Sequence, residues 1–253
     1  MRKCNVVTIN LPEVWDTTPE QNMERAVKLL DNVHSLKPDL ICLPETFLSI
    51  SVNQETDKEK LAKMCRSVLG EKARQLNSYI VAGLHEIIDG RLCNVAWLFD
   101  RNGTIAGRYI KHHPVDYEME KGVWAGADIP VFETDFGKLG ILICFDIDWP
   151  EPWTELRNKG AELVAWISAY EGGYPLNAYA ACNMYYIASS VRATASRIID
   201  ITGRDLETSS RWANWAYKQI GLDKTMFHID GQAHKLPLLQ QELGSRITLE
   251  TYD

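Results

Sequence analysis

Gly140-Ile141-Leu142-Ile143-Cys144-Phe145-Asp146-Ile147-Asp148-Trp149-Pro150-Glu151 is the stretch on which the fold turns. Its first four residues are apolar without alternation, as in a strand buried on both faces. Trp149-Pro150-Glu151 then reads as the entry to a helix running through Arg157, with proline near the first helical position and an acid in the first turn. A buried strand passing directly into a helix belongs to an α/β protein, and Cys144 sits at the turn between them. Such an elbow exposes a side chain and aims backbone N–H groups at any oxyanion formed there. On these residues alone Cys144 reads equally well as a core cysteine or as a nucleophile.

The same alternation extends outward. Cys4 to Asn10 is strand-like. Thr18-Pro19-Glu20 starts a helix, and Met23, Ala26, Val27, Leu29, Leu30 and Val33 follow at helical spacing. Leu40 to Leu43 reads as a buried strand ending at Pro44-Glu45. A second helix is predicted over Lys58 to Leu76, then a strand from Tyr79 to Gly83. Strands Cys93 to Asp100 and Thr104 to Tyr109 flank the turn Arg101-Asn102-Gly103, and Lys111 follows. Residues 112 to 130 form a loop. Strands Val131 to Thr134 and Leu139 to Ile143 flank Asp135-Phe136-Gly137-Lys138. Downstream, Leu163 to Ile167 reads as strand, Leu176 to Ser189 as helix, and Ser196 to Ile201 with Thr202-Gly203 as a hairpin. The last fifty residues carry a short strand near Met226 to Ile229. β-α-β units mixed with hairpins imply an α/β fold whose sheets are not purely parallel. No repeat or linker divides the chain, so residues 1–253 read as one domain, with an extension from about residue 206.

Composition narrows the function. Hydrophobic residues make up 45% and charged ones 24%, ordinary for a globular protein. A net charge of −7 without a basic stripe argues against nucleic acid. No apolar run approaches the length of a membrane span, and Met1 to Val7 is too short an apolar run for a signal peptide. The six cysteines, Cys4, Cys42, Cys65, Cys93, Cys144 and Cys182, are scattered without a Cys-x-x-Cys pair, and all but Cys144 read as packing residues. Reduced thiols fit a cytoplasmic protein.

Glu45, Lys111 and Cys144 share a placement, each just past the carboxyl end of an apolar run. In α/β sheets that edge is where ligand crevices form. A cysteine nucleophile needs a base or a cationic neighbour, because an ordinary thiol is mostly protonated at neutral pH. Glu45 could be that base. Lys111 could stabilise a thiolate or the oxygen of a tetrahedral intermediate. An ion pair that merely ties two loops together would use the same Glu45 and Lys111.

Three segments carry a resemblance. Leu43-Pro44-Glu45-Thr46-Phe47, Arg108-Tyr109-Ile110-Lys111-His112-His113-Pro114 and Gly140 through Glu151 resemble the three signatures of the nitrilase, or carbon–nitrogen hydrolase, superfamily, in the same order. Glu45 and Lys111 are 66 residues apart, and Lys111 and Cys144 are 33 apart. The likeness runs from about residue 4 to 205, through Val131 to Gly137, Ser168 to Gly173 and Ser196 to Asp200. It implies an α-β-β-α sandwich of two mixed sheets, which in family members pairs into a homodimer or a higher homo-oligomer. By the same likeness Cys144 is the nucleophile, Glu45 the general base, and Lys111 with the Phe145 backbone N–H the oxyanion site. A second glutamate is expected between lysine and cysteine. Glu120 is preferred over Glu118 because it lies nearer Gly122-Val123-Trp124-Ala125-Gly126, where Ala125-Gly126 stands in place of the family's usual Pro-Gly. Glu118 is then left to substrate binding. The implied substrate is a small amide or N-carbamoyl compound, with no metal or organic cofactor. An acyltransferase, a nitrilase and a catalytically silent binding protein are the alternatives on the same scaffold.

Around this core, Trp124, Trp149 and Tyr170 are candidates to wall a pocket. Adjacent histidines such as His112 and His113 point apart in extended backbone and do not chelate one ion, and His85, His228 and His234 lack ligand spacing with them. Glu171, beside Gly172-Gly173, reads as a solvated turn rather than a reader of cationic substrates.

Overall fold

The computed structural model describes residues 1–49, 57–227 and 231–250. Two mixed β-sheets face each other. The first contains β1 (Lys3–Ile9), β2 (Leu40–Cys42), β3 (Tyr79–Ile88), β4 (Arg91–Phe99), β5 (Ile105–Ile110), β6 (Val123–Trp124) and β13 (Trp215–Gly221). The second contains β7 (Val131–Glu133), β8 (Lys138–Ile143), β9 (Leu163–Ser168), β10 (Tyr186–Val191), β11 (Arg197–Ile199) and β12 (Asp205–Thr208). In the first sheet the order is β13-β1-β2-β3-β4-β5, with β6 beside β4. β1, β2 and β3 are mutually parallel, whereas β3-β4-β5 are antiparallel. The second sheet runs β12-β11-β10-β9-β8-β7 around a parallel centre of β8, β9 and β10.

Helices α1 (Pro19–Asn32) and α2 (Lys58–Leu76) cover the outer face of the first sheet. Helices α4 (Pro150–Asn158) and α5 (Tyr174–Asn183) cover that of the second. A short helix α3 (Asp116–Glu120) precedes β6, and α6 (Leu236–Leu243) lies near the end of the chain. The result is the α-β-β-α layering that the resemblance implies. Side-chain alternation builds it: Ile80, Ala82 and Leu84 of β3 pack under the helices, while Val81 joins the core between the sheets. Among the described residues, no helix is long and apolar enough to cross a membrane.

Local signals explain the elements that match expectation. Thr18 caps α1, accepting from Gln21 N at 3.2 Å while the Gln21 side chain returns a bond to Thr18 N. Asp57 caps α2 through Lys60 N, and Asn77 in the left-handed conformation ends it.

Four expectations need correction. The stretch 112–130, read as a loop, holds α3 and β6. The helix read over Leu176 to Ser189 ends at Asn183, since Met184 turns left-handed (φ 53°) and Tyr186 starts β10. The strand expected near Met226 to Ile229 is not formed at 226–227, and 228–229 lie outside the described residues, as does His228. The last strand is instead β13, antiparallel to β1 over seven residue pairs, Lys3 against Gly221 through Ile9 against Trp215. Of the cysteines read as packing, Cys182 is exposed on α5.

Candidate active site

The carboxyl ends of β2 and β3, with β5 leading in beside them, meet those of β8, β9 and β10 at one end of the sandwich. Glu45 lies three residues beyond β2, Lys111 directly after β5, and Cys144 directly after β8. Close approach of the chains there requires Gly83 on β3: a Cβ at that position would stand 2.6 Å from Glu45 Cα and 2.8 Å from Thr46 N. Gly126, whose N–H donates to Lys111 O at 2.8 Å, is equally constrained, since a Cβ would lie 2.3 Å from Ile110 O.

Lys111 is 1% exposed, and its ammonium is held between two carboxylates. Nζ stands 3.0 Å from Glu45 Oε1 and 2.7 Å from Glu118 Oε2. Asn94 on β4 clamps the same two groups, donating from Nδ2 to Glu45 Oε1 at 2.8 Å and to Glu118 Oε1 at 2.6 Å. Glu118 also accepts from Val115 N at 3.0 Å. Burial alone would push the Glu45 carboxyl up, but Lys111, Arg192 and the hydrogen bonds from Lys111 and Asn94 prevail and hold it below the usual range. Burial would strip the Lys111 proton, yet Glu45, Cys144 and Glu118 keep it firmly ammonium. Two of its three N–H groups are committed, which leaves the third for another acceptor.

Glu118, rather than Glu120, is therefore the second glutamate of the cluster. Glu118 is buried at 6% exposure, whereas Glu120 is exposed. Residues two apart on a helix face nearly opposite directions, so only one of them can reach Lys111.

Cys144 opens a 3-10 turn, Cys144–Asp148, that precedes α4. Its backbone is left-handed, φ 47°, a conformation that L-residues adopt rarely and that clusters at functional sites. Asp146 pins this elbow. Fully buried, it accepts from Tyr109 Oη at 2.7 Å, His113 N at 2.8 Å and Ile143 N at 2.9 Å, so it ties the first sheet to the turn. Trp166 Nε1 donates to Cys144 O at 3.1 Å. Burial, and then the Glu45 charge, push the Cys144 thiol up to about 12, against the pull of Lys111, the Ser168 hydroxyl and the Ala169 backbone. The thiol is protonated at neutral pH and lies within the electrostatic reach of an ionised carboxylate and an ammonium.

Phe145, Trp149 and His113 form an aromatic wall beside the elbow. Trp149 stacks on His113 at 4.2 Å and meets the edge of Phe145 at 5.0 Å. Tyr170 packs edge-on against Trp166 at 5.6 Å, and its hydroxyl is pushed up by burial and then by the Cys144 charge. Trp124 does not join them; it is half exposed under the Arg91 guanidinium, 4.1 Å from the ring centre. Glu171 accepts from Thr194 N at 2.7 Å and ties two loops together.

Asn94, Asp146, Ser168 and Arg192 were not singled out by the sequence. Arg192 follows β10, is buried, and donates from Nη1 to Glu13 at 2.6 Å. Glu118 had one local signal, its position in the first turn after Pro114-Val115, where an acid can accept an uncapped N–H.

The carbon–nitrogen hydrolase family model matches residues 5–226. A probable hydrolase of Bacillus subtilis, YhcX, is 36% identical over 99 residues, 39% of this chain and 19% of that protein. A deaminated glutathione amidase of Dictyostelium discoideum is 27% identical over 184 residues, 64% of this chain and 63% of its own length. The chain thus spans less than two thirds of these relatives. Among solved structures, a carbon-nitrogen hydrolase from Helicobacter pylori superposes with a TM-score of 0.81 at 19% identity, covering 94% of each chain.

Proposed function

Because the chain belongs to the carbon–nitrogen hydrolase family, we propose that it hydrolyses the C–N bond of a small amide or N-carbamoyl compound through a thioester on Cys144. The observation that carries this reading is the buried Glu45–Lys111–Glu118 cluster set against a left-handed cysteine. That arrangement supplies a base, a fixed cation and a nucleophile without requiring a free thiolate.

Glu45 takes the thiol proton as Sγ bonds to the substrate carbon, so no separate thiolate has to exist beforehand. The oxygen becomes negative and is received by the uncommitted N–H of Lys111 and the Phe145 backbone N–H. The C–N bond then breaks, and the leaving nitrogen takes the proton from Glu45. Glu45, ionised again, draws a proton from water as it attacks the thioester; the C–S bond breaks and the proton returns to sulfur. An amide yields a carboxylic acid and ammonia or an amine. An N-carbamoyl compound yields an amine, carbon dioxide and ammonia. Glu118 and Asn94 hold Lys111 and Glu45 in position, and Phe145, Trp149 and Tyr170 border the substrate. No metal or organic cofactor takes part in these steps.

A panel of primary amides, N-carbamoyl compounds and nitriles, assayed for ammonia release, tests the proposal. The wild-type protein should turn over at least one amide or N-carbamoyl compound. Cys144→Ala should abolish turnover, and Glu45→Gln, which can take no thiol proton, should lose turnover without an acyl adduct visible by mass spectrometry. Full turnover by Cys144→Ala would refute the nucleophile assignment.

A further inference from the structure

His85 and Asn94 face each other across β3 and β4, directly paired in the antiparallel register. Both lie on the face turned toward the second sheet, as does Gly83, against which the Glu45 backbone packs. Asn94 spends both N–H bonds of its amide on Glu45 and Glu118. Its Oδ1 must therefore turn away from those carboxylates, and it is buried without a hydrogen-bond partner among the described residues. His85, 5% exposed, has both ring nitrogens in the same condition. Three unpaired polar atoms on adjacent strands form a local concentration of unmet hydrogen-bonding capacity, which native interiors rarely tolerate. The imidazole is uncharged: burial first, and then Lys58, bring it down to about 4, with Glu45 opposing. A neutral imidazole offers one donor and one acceptor, and Asn94 Oδ1 offers a second acceptor.

We propose that His85 and Asn94 Oδ1 form a subsite, adjoining the Glu45–Lys111–Glu118 cluster, that receives an uncharged donor–acceptor group at the distal end of the substrate, such as a carboxamide or ureido group. The inference rests on the hydrolase reading for the identity of the reacting end and adds the substrate class. Such a group matches the facing pair: its carbonyl accepts from the imidazole N–H, and its NH2 donates to Asn94 Oδ1. A carboxylate would set negative charge against Asn94 Oδ1. A methyl group would leave all three atoms unpaired, the condition under which a polar site rejects an analogue most strongly.

Calorimetry on the Cys144→Ala protein separates this subsite from turnover. Butanediamide, butyramide and succinamate share one amide end and differ in a distal carboxamide, methyl or carboxylate. The carboxamide-ended compound should bind at least tenfold more tightly than either of the others. Adding His85→Leu should bring it to within threefold of butyramide, while His85→Gln, which keeps a donor and an acceptor, should retain most of the preference. Thermal melting of each variant confirms that it is folded. No measurable binding of butanediamide, equal binding of all three compounds, tightest binding of succinamate, or a preference unchanged by His85→Leu would each overturn the subsite. The hydrolase reading fails by a different result, the absence of Cys144-dependent ammonia release from the wild-type protein.

Discussion

Lys111 Nζ lies 2.7 Å from Glu118 Oε2, closer than to Glu45 Oε1, so the ammonium is anchored by a residue other than its proposed catalytic partner. Both side chains of the Lys111–Glu118 pair are almost wholly buried. Removing one member of a buried pair leaves the other uncompensated. Glu118→Gln keeps the shape and an acceptor oxygen but removes the charge. It should lower kcat by about 10²- to 10³-fold, the scale of losing a positioned electrostatic group, and reduce stability by about 1–3 kcal/mol. Glu120→Ala should change stability by less than about 0.5 kcal/mol, as at an exposed site, and leave turnover intact. Steady-state kinetics and urea unfolding of the two variants check both outcomes; equal losses would undo the assignment of Glu118.

The pH profile of kcat/KM follows from the two shifts at the site. A carboxylate base works only when ionised, and Glu45 is held below its ordinary value of 4.5. Activity should therefore fall only as pH drops below about 4.5. With the Cys144 thiol up at about 12, no gain is expected near the ordinary thiol pKa of about 8.5. A plateau from about pH 6 to 9 is the expected result. A tenfold rise per pH unit up to pH 8 or 9 would instead mean that a free thiolate attacks, and the base role of Glu45 would be lost.

Gly83 offers a test of how tightly the site is built. Alanine there would drive a Cβ into the Glu45 and Thr46 backbone, and backbone cannot swing aside. Overpacking of this kind costs about 1–3 kcal/mol, and a shift of roughly 1 Å in Glu45 should cut kcat about 100-fold. Gly140→Ala is the contrast. The three atoms nearest its Cβ all belong to the Leu156 side chain, at 2.8 Å and beyond, on the α4 side of β8. It should lose stability while keeping kcat within a few fold, as measured by denaturant unfolding and ammonia release.

How far these features can be read from sequence depends on the range of the interaction that creates them. Thr18-Pro19 announces its helix because a cap is made within three residues. Tyr186 to Ser189 reads as helix in the sequence because its break is Met184, a left-handed residue that is not glycine. β13 escaped because its identity comes from pairing with β1, more than two hundred residues away. Glu45, Lys111 and Cys144 stood out because each ends an apolar run. Asp146 did not, although it pins the elbow, because its partners come from β5, the segment after it and β8. His85 and Asn94 read as ordinary strand residues until the register sets them side by side.

Cys144 carries a further consequence of its backbone. At φ 47° an L-residue bears roughly 1–2 kcal/mol of strain that glycine does not. Cys144→Ala removes the thiol and keeps the strain; Cys144→Gly removes both. Glycine also frees the unfolded chain, which subtracts about 0.5–1 kcal/mol. The net expectation is that Cys144→Gly is more stable than Cys144→Ala by up to about 1.5 kcal/mol. At Cys4, a buried strand residue of β1 outside the set of positive-φ positions, the order should reverse, because glycine there only adds entropy to the unfolded state. Chemical denaturation of the four single variants decides the matter. If alanine is the more stable replacement at both positions, Cys144 is not held in a left-handed turn in solution.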